Sequence, residues 1–329
     1  MTKIDSRFSV APMMNWTNRH CRVFHRLLTK NTLLYSEMIT AAAIIFGDRE
    51  RLLAFNAIEH PLALQVGGSD PKLLSEAAKI GSDFGYDEIN LNVGCPSHRV
   101  LSGEFGAALM IKPELVAKCL AAMNRATPNT KITVKCRIGI DNQDPYKVLP
   151  EFLRCIFDTG VEKVIIHARK AFLNGLSPKQ NRYIPPLDYS IVKIMKNLFP
   201  DKEIVINGGI KNLPTASALI RDGLDGVMIG REAYYSPGQI LLPVDSLIFG
   251  SVSEQTTMTN VLSELCCYID DELSKGTRLN EITRHLHGAF NGQHGAKSFR
   301  RTLSEEAHKP GAEAKVLRSA IERIKDGGL

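Results

Sequence analysis

The sequence lacks the features that would place it in a membrane, in a secretory pathway or in a disulfide-stabilised scaffold. It contains no run of about 18 apolar residues, which argues against a membrane-spanning helix. The N-terminal residues show no apolar segment after a basic start, so no secretory signal is expected. The seven cysteines are an odd number and none forms a C-x-x-C pair. We therefore expect a cytoplasmic protein without disulfides and without a bound metal.

Two common nucleotide-binding motifs are also missing. No G-x-G-x-x-G follows an apolar run and no G-x-x-x-x-G-K occurs, so neither a Rossmann dinucleotide site nor a P-loop is indicated. What is present is an ordinary globular composition, with 44% hydrophobic and 23% charged residues.

Short β-rich apolar segments alternate with helical stretches along most of the chain. We expect strands at 8–13, 33–38, 62–67, 88–94, 133–139, 163–168, 203–208 and 226–231. Most are nearly continuous apolar runs, which is typical of parallel strands covered on both faces. Pro71, Pro113 and Pro214 suit the first turns of the helices between them. Eight β–α units predict a (β/α)8 barrel over residues 1–240; an open doubly wound sheet is the alternative.

The composition changes after the predicted barrel. Residues 241–256 contain Pro, Gly and Ser among few apolar side chains and are interpreted as a linker. Residues 257–329 carry apolar side chains at helical spacing, beginning with Val261, Leu265 and Ile269. This periodicity predicts a small domain of three or four helices. Nothing in the organisation requires a protein partner, so we expect a monomer.

The net charge of +6 is concentrated in two segments. Residues 167–187 carry four Lys or Arg without an acidic residue, and residues 278–301 carry five against one Glu. The remainder of the chain is therefore slightly acidic. Two basic surfaces on an acidic body indicate a polyanionic partner, with two solvated loops as the alternative.

Glycines follow the seventh and eighth predicted strands, where barrels of this type often bind phosphate. Asn207, Gly208 and Gly209 follow one strand, and Gly230 and Arg231 follow the next. Glycine lets backbone N–H groups approach phosphate oxygens, and an arginine adds a charged fork. We predict a phosphate site here; tight turns that use glycine only for their geometry are the alternative.

Charged side chains lie within the fifth predicted strand. Lys135 and Arg137 are two residues apart, so both point to one side of the strand, and their burial inside a barrel requires an anion or an electron-rich ring. A flavin meets that requirement, since a cation near its N1–O2 edge stabilises the reduced form. Gln65 could bond the pyrimidine edge of the flavin. An internal ion pair with Glu37 or Glu88 is the alternative.

Cys95 and His167 each end a predicted strand at the face where barrel active sites form. An ordinary cysteine thiol is mostly protonated near neutral pH, so Cys95 is a candidate proton donor; an inert, half-buried thiol is the alternative. His167 is a candidate only because of its place at a strand end. His285 and His287 have the spacing of two metal ligands without a third, and we expect both to lie at the surface or to face RNA.

Several segments together resemble tRNA-dihydrouridine synthases. The longest, NLNVGCPSHRVLSGEFGAALM, surrounds Cys95, and APMMNWTNRHCR, VKCRIGID, IIHARKAFLNGLSPKQNR, NGGI and VMIGREAY accompany it. The C-terminal GAKSFRRTLSEEAHKPGA is most similar to the A-type bacterial branch. The cysteine motif is specific, whereas the short glycine motifs alone would be weak.

The resemblance implies an FMN-binding barrel with a helical tRNA-binding domain. Such an enzyme uses NADPH to reduce the C5–C6 double bond of a D-loop uridine, at position 20 and often also 20a. Cys95 matches the catalytic acid. The implied FMN contacts are Pro12, Met13, Met14, Gln65, Lys135, His167, Asn207, Gly208, Gly209, Gly230 and Arg231, to which the charge argument adds Arg137. The implied uridine and tRNA contacts are Asn92, Lys179, Arg182, Lys297, Arg300 and Arg301.

Two other functions are compatible with parts of this pattern. An FMN barrel acting on a small molecule, such as a dihydroorotate-type dehydrogenase, would not need a basic helical domain. A non-enzymatic RNA-binding protein would have no need of Cys95, Lys135 and His167. A base of folded RNA must leave its stack to reach a catalytic pocket, and two basic segments beside that pocket suit tRNA better than a metabolite.

Overall fold

A computed structural model describes residues 4–97, 103–252 and 256–325. Its centre is a sheet of eight parallel strands in the order β1–β8–β7–β6–β5–β4–β3–β2. The strands are β1 (Phe8–Val10), β2 (Leu34–Thr40), β3 (Leu62–Gly67), β4 (Glu88–Val93), β5 (Lys131–Arg137), β6 (Lys163–His167), β7 (Glu203–Asn207) and β8 (Gly226–Ile229). A bridge between Ser9 and Leu33, the residue before β2, joins the two edges of the sheet. The predicted (β/α)8 barrel is confirmed, and the open sheet is not formed.

Helices cover the outside of the barrel. They span Arg19–Leu28, Ala41–Phe46, Arg49–Leu53, Pro71–Asp83, Pro113–Ala126, Pro145–Phe157, Tyr189–Leu198 and Leu213–Arg221, with shorter ones at Arg231–Tyr235, Pro237–Ile240 and Val244–Leu247. 3-10 turns occur at Ala57–Glu59, Gly106–Ile111 and Gln180–Arg182. Pro71 and Pro113 occupy first turns, as predicted, because proline loses no intrahelical hydrogen bond there.

The two faces of β4 have opposite chemistry. Its apolar residues Ile89, Leu91 and Val93 belong to the main core between strands and helices. The alternate residues carry polar side chains and are buried inside the barrel, where a smaller apolar cluster lies beside them. That cluster consists of Ala11, Leu33, Tyr35, Ala63, Ile165, Val205 and Met228. The barrel interior is therefore partly polar.

The segment predicted as a linker, 241–256, packs on the barrel in its first half. Leu241 and Val244 are fully buried. The buried Asp245 carboxylate accepts hydrogen bonds from the Thr29 hydroxyl and from the backbone N–H of Lys30, each at 2.6 Å. These are contacts between residues distant in sequence, so the local composition could not show them. Residues 253–255 lie outside the described part of the chain.

The C-terminal region is helical throughout its regular structure. Its helices span Met258–Ser274, Leu279–Thr283, Ala296–Glu306 and Lys315–Lys325, and residues 326–329 lie outside the described part. Contacts with the helix after β1 hold the region against the barrel: Arg19 pairs with the buried Glu272, and His20 Nδ1 lies 2.6 Å from the Tyr268 hydroxyl. Among the described residues, no helix is long and apolar enough to span a bilayer.

Candidate active site

The carboxyl ends of the strands bring most predicted site residues to one mouth of the barrel. Parallel strands end at a common rim, so residues far apart in sequence become neighbours. The residues at or just beyond the strand ends are Pro12, Met13, Met14, Asn92, Cys95, Arg137, His167, Asn207, Gly208, Gly209, Gly230 and Arg231, and Gln65 and Lys135 lie two residues before the ends of β3 and β5. Lys179 and Arg182 lie on the loop that follows β6, and Lys297, Arg300 and Arg301 lie outside the barrel, on the helix Ala296–Glu306.

Cys95 is positioned through its backbone. Asn92 Oδ1 accepts hydrogen bonds from the N–H groups of Gly94 at 3.1 Å and Cys95 at 3.0 Å. Arg137 Nε donates to the carbonyl of Gly94 at 2.9 Å. The thiol itself is half-buried and lies 3.6 Å from the Ser97 hydroxyl. These contacts fix the backbone of Cys95, and the half-buried residue lies at the mouth of the barrel.

Positive charge accumulates around His167. Burial lowers the pKa of His167 well below its ordinary value, and four cations lower it further: Arg137, Lys135, Arg169 and Arg231. The imidazole is therefore neutral. Its Nδ1 is buried and has no hydrogen-bond partner in the part of the chain that the structure describes. A neutral, unpartnered ring nitrogen among four cations suits a ligand that is both polar and anionic.

Arg137 ties loops together around the mouth. Its guanidinium is buried and donates to the carbonyls of Gly94 at 2.9 Å, Lys170 at 2.9 Å and Asn181 at 3.2 Å. These acceptors belong to the loops after β4 and β6. Arg137 therefore has a structural use besides the cofactor contact that the sequence predicts.

The ammonium of Lys135 has no hydrogen-bond partner within residues 4–97, 103–252 and 256–325. Burial lowers the pKa of Lys135 to about 8. The carboxylates that the sequence offered as partners are engaged elsewhere: Glu88 pairs with Lys163 at 2.9 Å, and Glu37 accepts from the backbone N–H of Asn15. The internal ion pair is therefore not formed. An anion bound in the mouth would favour the protonated form of Lys135.

The turn after β7 requires glycine for its geometry. Gly208 and Gly209 have φ of +116° and +69°, and a Cβ on Gly208 would lie 3.3 Å from the His167 ring. After β8 the Arg231 guanidinium stacks on Tyr183, with Cζ 4.5 Å from the ring centroid, and contacts its hydroxyl. Gly208 and Gly209 thus serve the turn after β7, and the charge of Arg231 acts on His167, which lies next to Gly208.

The basic loop after β6 divides into two kinds of cation. Arg169 and Lys170 donate to backbone carbonyls of Pro185 and Asp141, so they stabilise the loop. Lys179 and Arg182 are exposed. Although Arg182 is exposed as a residue, partial burial of its guanidinium and the charge of Arg231 lower its pKa, which places it near the same cationic mouth. The exposed pair is free to meet a polyanion.

Neither Asn181 nor Tyr183, on which Arg231 stacks, was identified from the sequence. Asn181 is fully buried, and its side chain bonds the N–H of Phe172 at 2.7 Å and the carbonyl of Phe172 at 2.9 Å. It therefore holds the basic loop in shape. In the sequence it is one polar residue in a polar stretch, and no local pattern distinguishes it.

His285 is buried, so the expectation of a surface histidine was wrong. It is 1% exposed, its Nδ1 lies 3.1 Å from the Tyr234 hydroxyl, and burial lowers its pKa to about 3. It lies where the helical region meets the end of the barrel, a contact that sequence spacing cannot reveal. Among the described residues no three His, Cys, Asp or Glu side chains come together in a group that could hold a metal ion.

The C-terminal cations share one side of their helix. Lys297, Arg300 and Arg301 are three or four residues apart or adjacent, and Lys297 and Arg301 are exposed while Arg300 is half-exposed. The opposite side buries Phe299 and Leu303. This face of the helix Ala296–Glu306 is a second basic surface.

Residues 9–325 match the family model described as "Dihydrouridine synthase (Dus)". The chain is 53% identical over 319 residues to the "tRNA-dihydrouridine(20/20a) synthase" of Vibrio cholerae, covering 97% of this chain and 96% of that protein. It is 54% identical over 323 residues to the protein of the same name from Escherichia coli K12, covering 98% and 92%. Among solved structures, the old yellow enzyme homologue from Zymomonas mobilis has a TM-score of 0.55 at 12% identity, covering 76% of this chain and 90% of that one. At that identity the likeness concerns the fold alone.

Proposed function

Because this chain belongs to the dihydrouridine synthase family, we propose that it reduces uridine to 5,6-dihydrouridine in the D-loop of tRNA. The proposed target is position 20, together with 20a. The observation that carries this proposal is the half-buried Cys95 thiol, held by its backbone at the rim of a mouth lined with cations. The exposed basic face of the helix Ala296–Glu306 favours tRNA over a small-molecule substrate.

The mouth has the chemistry that FMN requires. The Lys135 ammonium and His167 Nδ1 lack partners among the described residues, and both could bond the polar edge of an isoalloxazine ring. Gly208, Gly209 and Arg231 offer backbone and a cation to its phosphate. Pro12, Met13, Met14, Gln65, Asn207 and Gly230 complete the proposed contacts. When bound, FMN would carry to C6 of uracil the hydride that NADPH supplies.

Cys95 is proposed to deliver the accompanying proton. Hydride addition at C6 leaves an enolate conjugated with the C4 carbonyl, and protonation at C5 completes the reduction. The thiol transfers its proton to C5 and the thiolate then recovers a proton from solvent. Lys135 would hold positive charge near the cofactor, while Asn92, Lys179 and Arg182 would orient the uridine and its phosphates.

The test of this function uses the purified protein and an unmodified tRNA transcript. The protein is expected to be yellow, to hold about one FMN per chain and to form dihydrouridine at position 20 when NADPH is supplied. A transcript with cytidine at 20 and 20a is the control and should remain unchanged. A colourless protein that cannot be reconstituted with FMN would contradict the proposal, and turnover of dihydroorotate without tRNA would support the small-molecule alternative.

Binding of tRNA should weaken steeply with salt, because Lys and Arg contacts to phosphate release counterions. Replacing Arg300 and Arg301 together by alanine should reduce the slope of log K against log salt by about 1–2, with an unchanged flavin spectrum. Lys72→Ala with Lys79→Ala is the matched control, since both lysines are exposed on the outer helix Pro71–Asp83. Equal slopes for the two double variants would show that the C-terminal cations do not contact RNA.

A further inference from the structure

An unbroken series of hydrogen bonds runs through the barrel interior from Glu88 to Asn92. The Thr133 hydroxyl donates to Glu88 Oε1 at 2.7 Å and accepts from Asn90 Nδ2 at 2.9 Å. Gln65 Nε2 donates to Asn90 Oδ1 at 2.8 Å, and Gln65 Oε1 accepts from Asn92 Nδ2 at 2.9 Å. All five side chains are buried. We call this series the interior relay.

At the end of the interior relay that lies farthest from Cys95, the Glu88 carboxylate acts as a hydrogen-bond acceptor. Lys163 Nζ donates to Glu88 Oε2 at 2.9 Å, and the Tyr35 hydroxyl donates to Oε1 beside that of Thr133. With three donors on its two oxygens, Glu88 accepts at both. The Thr133 hydroxyl proton is therefore committed to Glu88, so the oxygen of Thr133 must accept from the amide above it.

The other end of the interior relay, at Asn92, requires the same orientation of the amides. The backbone N–H groups of Gly94 and Cys95 both donate to Asn92 Oδ1, so the Asn92 NH2 group must point down the series toward Gln65. An amide flip at any link would place two NH2 groups or two oxygens against each other. In a buried series every such mismatch leaves polar atoms unpaired. The two ends thus define one direction for all three amides.

We propose that Thr133 and Asn90 are positioning residues that act on Cys95 through the interior relay. Because Glu88 can only accept, Thr133 and Asn90 fix the orientation of each amide in the series. The Asn92 oxygen is thereby held against the backbone N–H of Cys95. Without them the Asn92 amide is oriented only from the side of Gly94 and Cys95, so its contact with the Cys95 N–H weakens and the backbone at the strand end is held less firmly. The inference rests on the proposed function, in which that place matters for protonation at C5.

Two substitutions distinguish an effect of the relay from a general loss of stability. Each removes one hydrogen bond to the same Glu88 oxygen. Thr133→Val keeps the side-chain shape and interrupts the relay, whereas Tyr35→Phe leaves the relay continuous. Exchange of the Gly94 and Cys95 amide hydrogens should accelerate by about tenfold in Thr133→Val, the scale of one buried hydrogen bond, and stay unchanged in Tyr35→Phe. Thr133→Ser restores the hydroxyl and should restore wild-type exchange.

The second measurement is single-turnover oxidation of the NADPH-reduced holoenzyme by tRNA. It should slow by about tenfold in Thr133→Val, with reduction by NADPH unchanged. Equal exchange and equal oxidation in Thr133→Val and Tyr35→Phe would overturn the relay. A wild-type protein that forms no dihydrouridine would instead refute the proposed function, while exchange would still test the relay. Should Thr133→Val not fold, Asn90→Leu interrupts the next link and is judged by the same two measurements.

Discussion

Replacing Cys95 by alanine is expected to slow oxidation of the reduced protein by tRNA by about 10²–10⁴-fold, the usual contribution of a positioned general acid. The structure gives the physical reason. The backbone of Cys95 is held by Asn92, and Gly94 next to it is held by Arg137, so the thiol occupies a defined place that alanine leaves without a proton donor. Stopped-flow measurement of the two half-reactions separately checks this result.

The same variant should bind FMN and accept hydride from NADPH at a near-normal rate, since the proposed cofactor contacts do not involve the thiol. Cys267→Ala is the matched control, because Cys267 is an exposed free cysteine on the helix Met258–Ser274. A Cys95→Ala protein that loses reduction by NADPH but keeps normal oxidation by tRNA would assign Cys95 another role.

Arg231→Ala is expected to weaken FMN binding by about 1.5–3 kcal/mol, the scale of hydrogen bonds to a charged group. Arg231 follows Gly230 at the end of β8 and stacks on Tyr183. A phosphate bound beside the glycines would gain a planar cation that is already oriented. Titration of the FMN-free protein with FMN, followed by flavin fluorescence, measures the loss.

Two further variants separate phosphate binding from support of the basic loop. Tyr183→Phe removes the hydroxyl but keeps the ring under the guanidinium, so it should weaken FMN binding much less. Arg221→Ala removes an exposed cation of the helix Leu213–Arg221 and should have no effect. Unchanged FMN affinity in Arg231→Ala would show that Arg231 serves only the contact with Tyr183.

The end of the first strand differs between the sequence prediction and the structure. The sequence predicts a first strand over 8–13, and the structure ends β1 at Val10. Ala11 still donates its N–H to Ile229, but Pro12 has no N–H with which to continue the ladder. The predicted apolar segment is present, but its last residues line the mouth of the barrel instead of pairing with the neighbouring strand.

Charged residues inside the barrel were predicted in part. The sequence singled out Lys135 and Arg137 and left open an ion pair with Glu88. The structure pairs Glu88 with Lys163 instead. Lys163 begins its strand, where a charged residue is ordinarily expected at the surface, so nothing in the sequence marked it as an interior partner. Register across β4, β5 and β6 decides this pairing.

By itself the sequence determined the number and order of the β–α units, the glycine turns and the cysteine motif, because each depends on residues close together in the chain. Only the tertiary structure decided which face of β4 lies inside the barrel. Polar Glu88, Asn90 and Asn92 alternate with apolar Ile89, Leu91 and Val93. This period of two defines two faces but not their environments, and on many sheets the polar face meets water. Here helices cover the apolar face and closure of the barrel encloses the polar one, so its side chains must pair with each other.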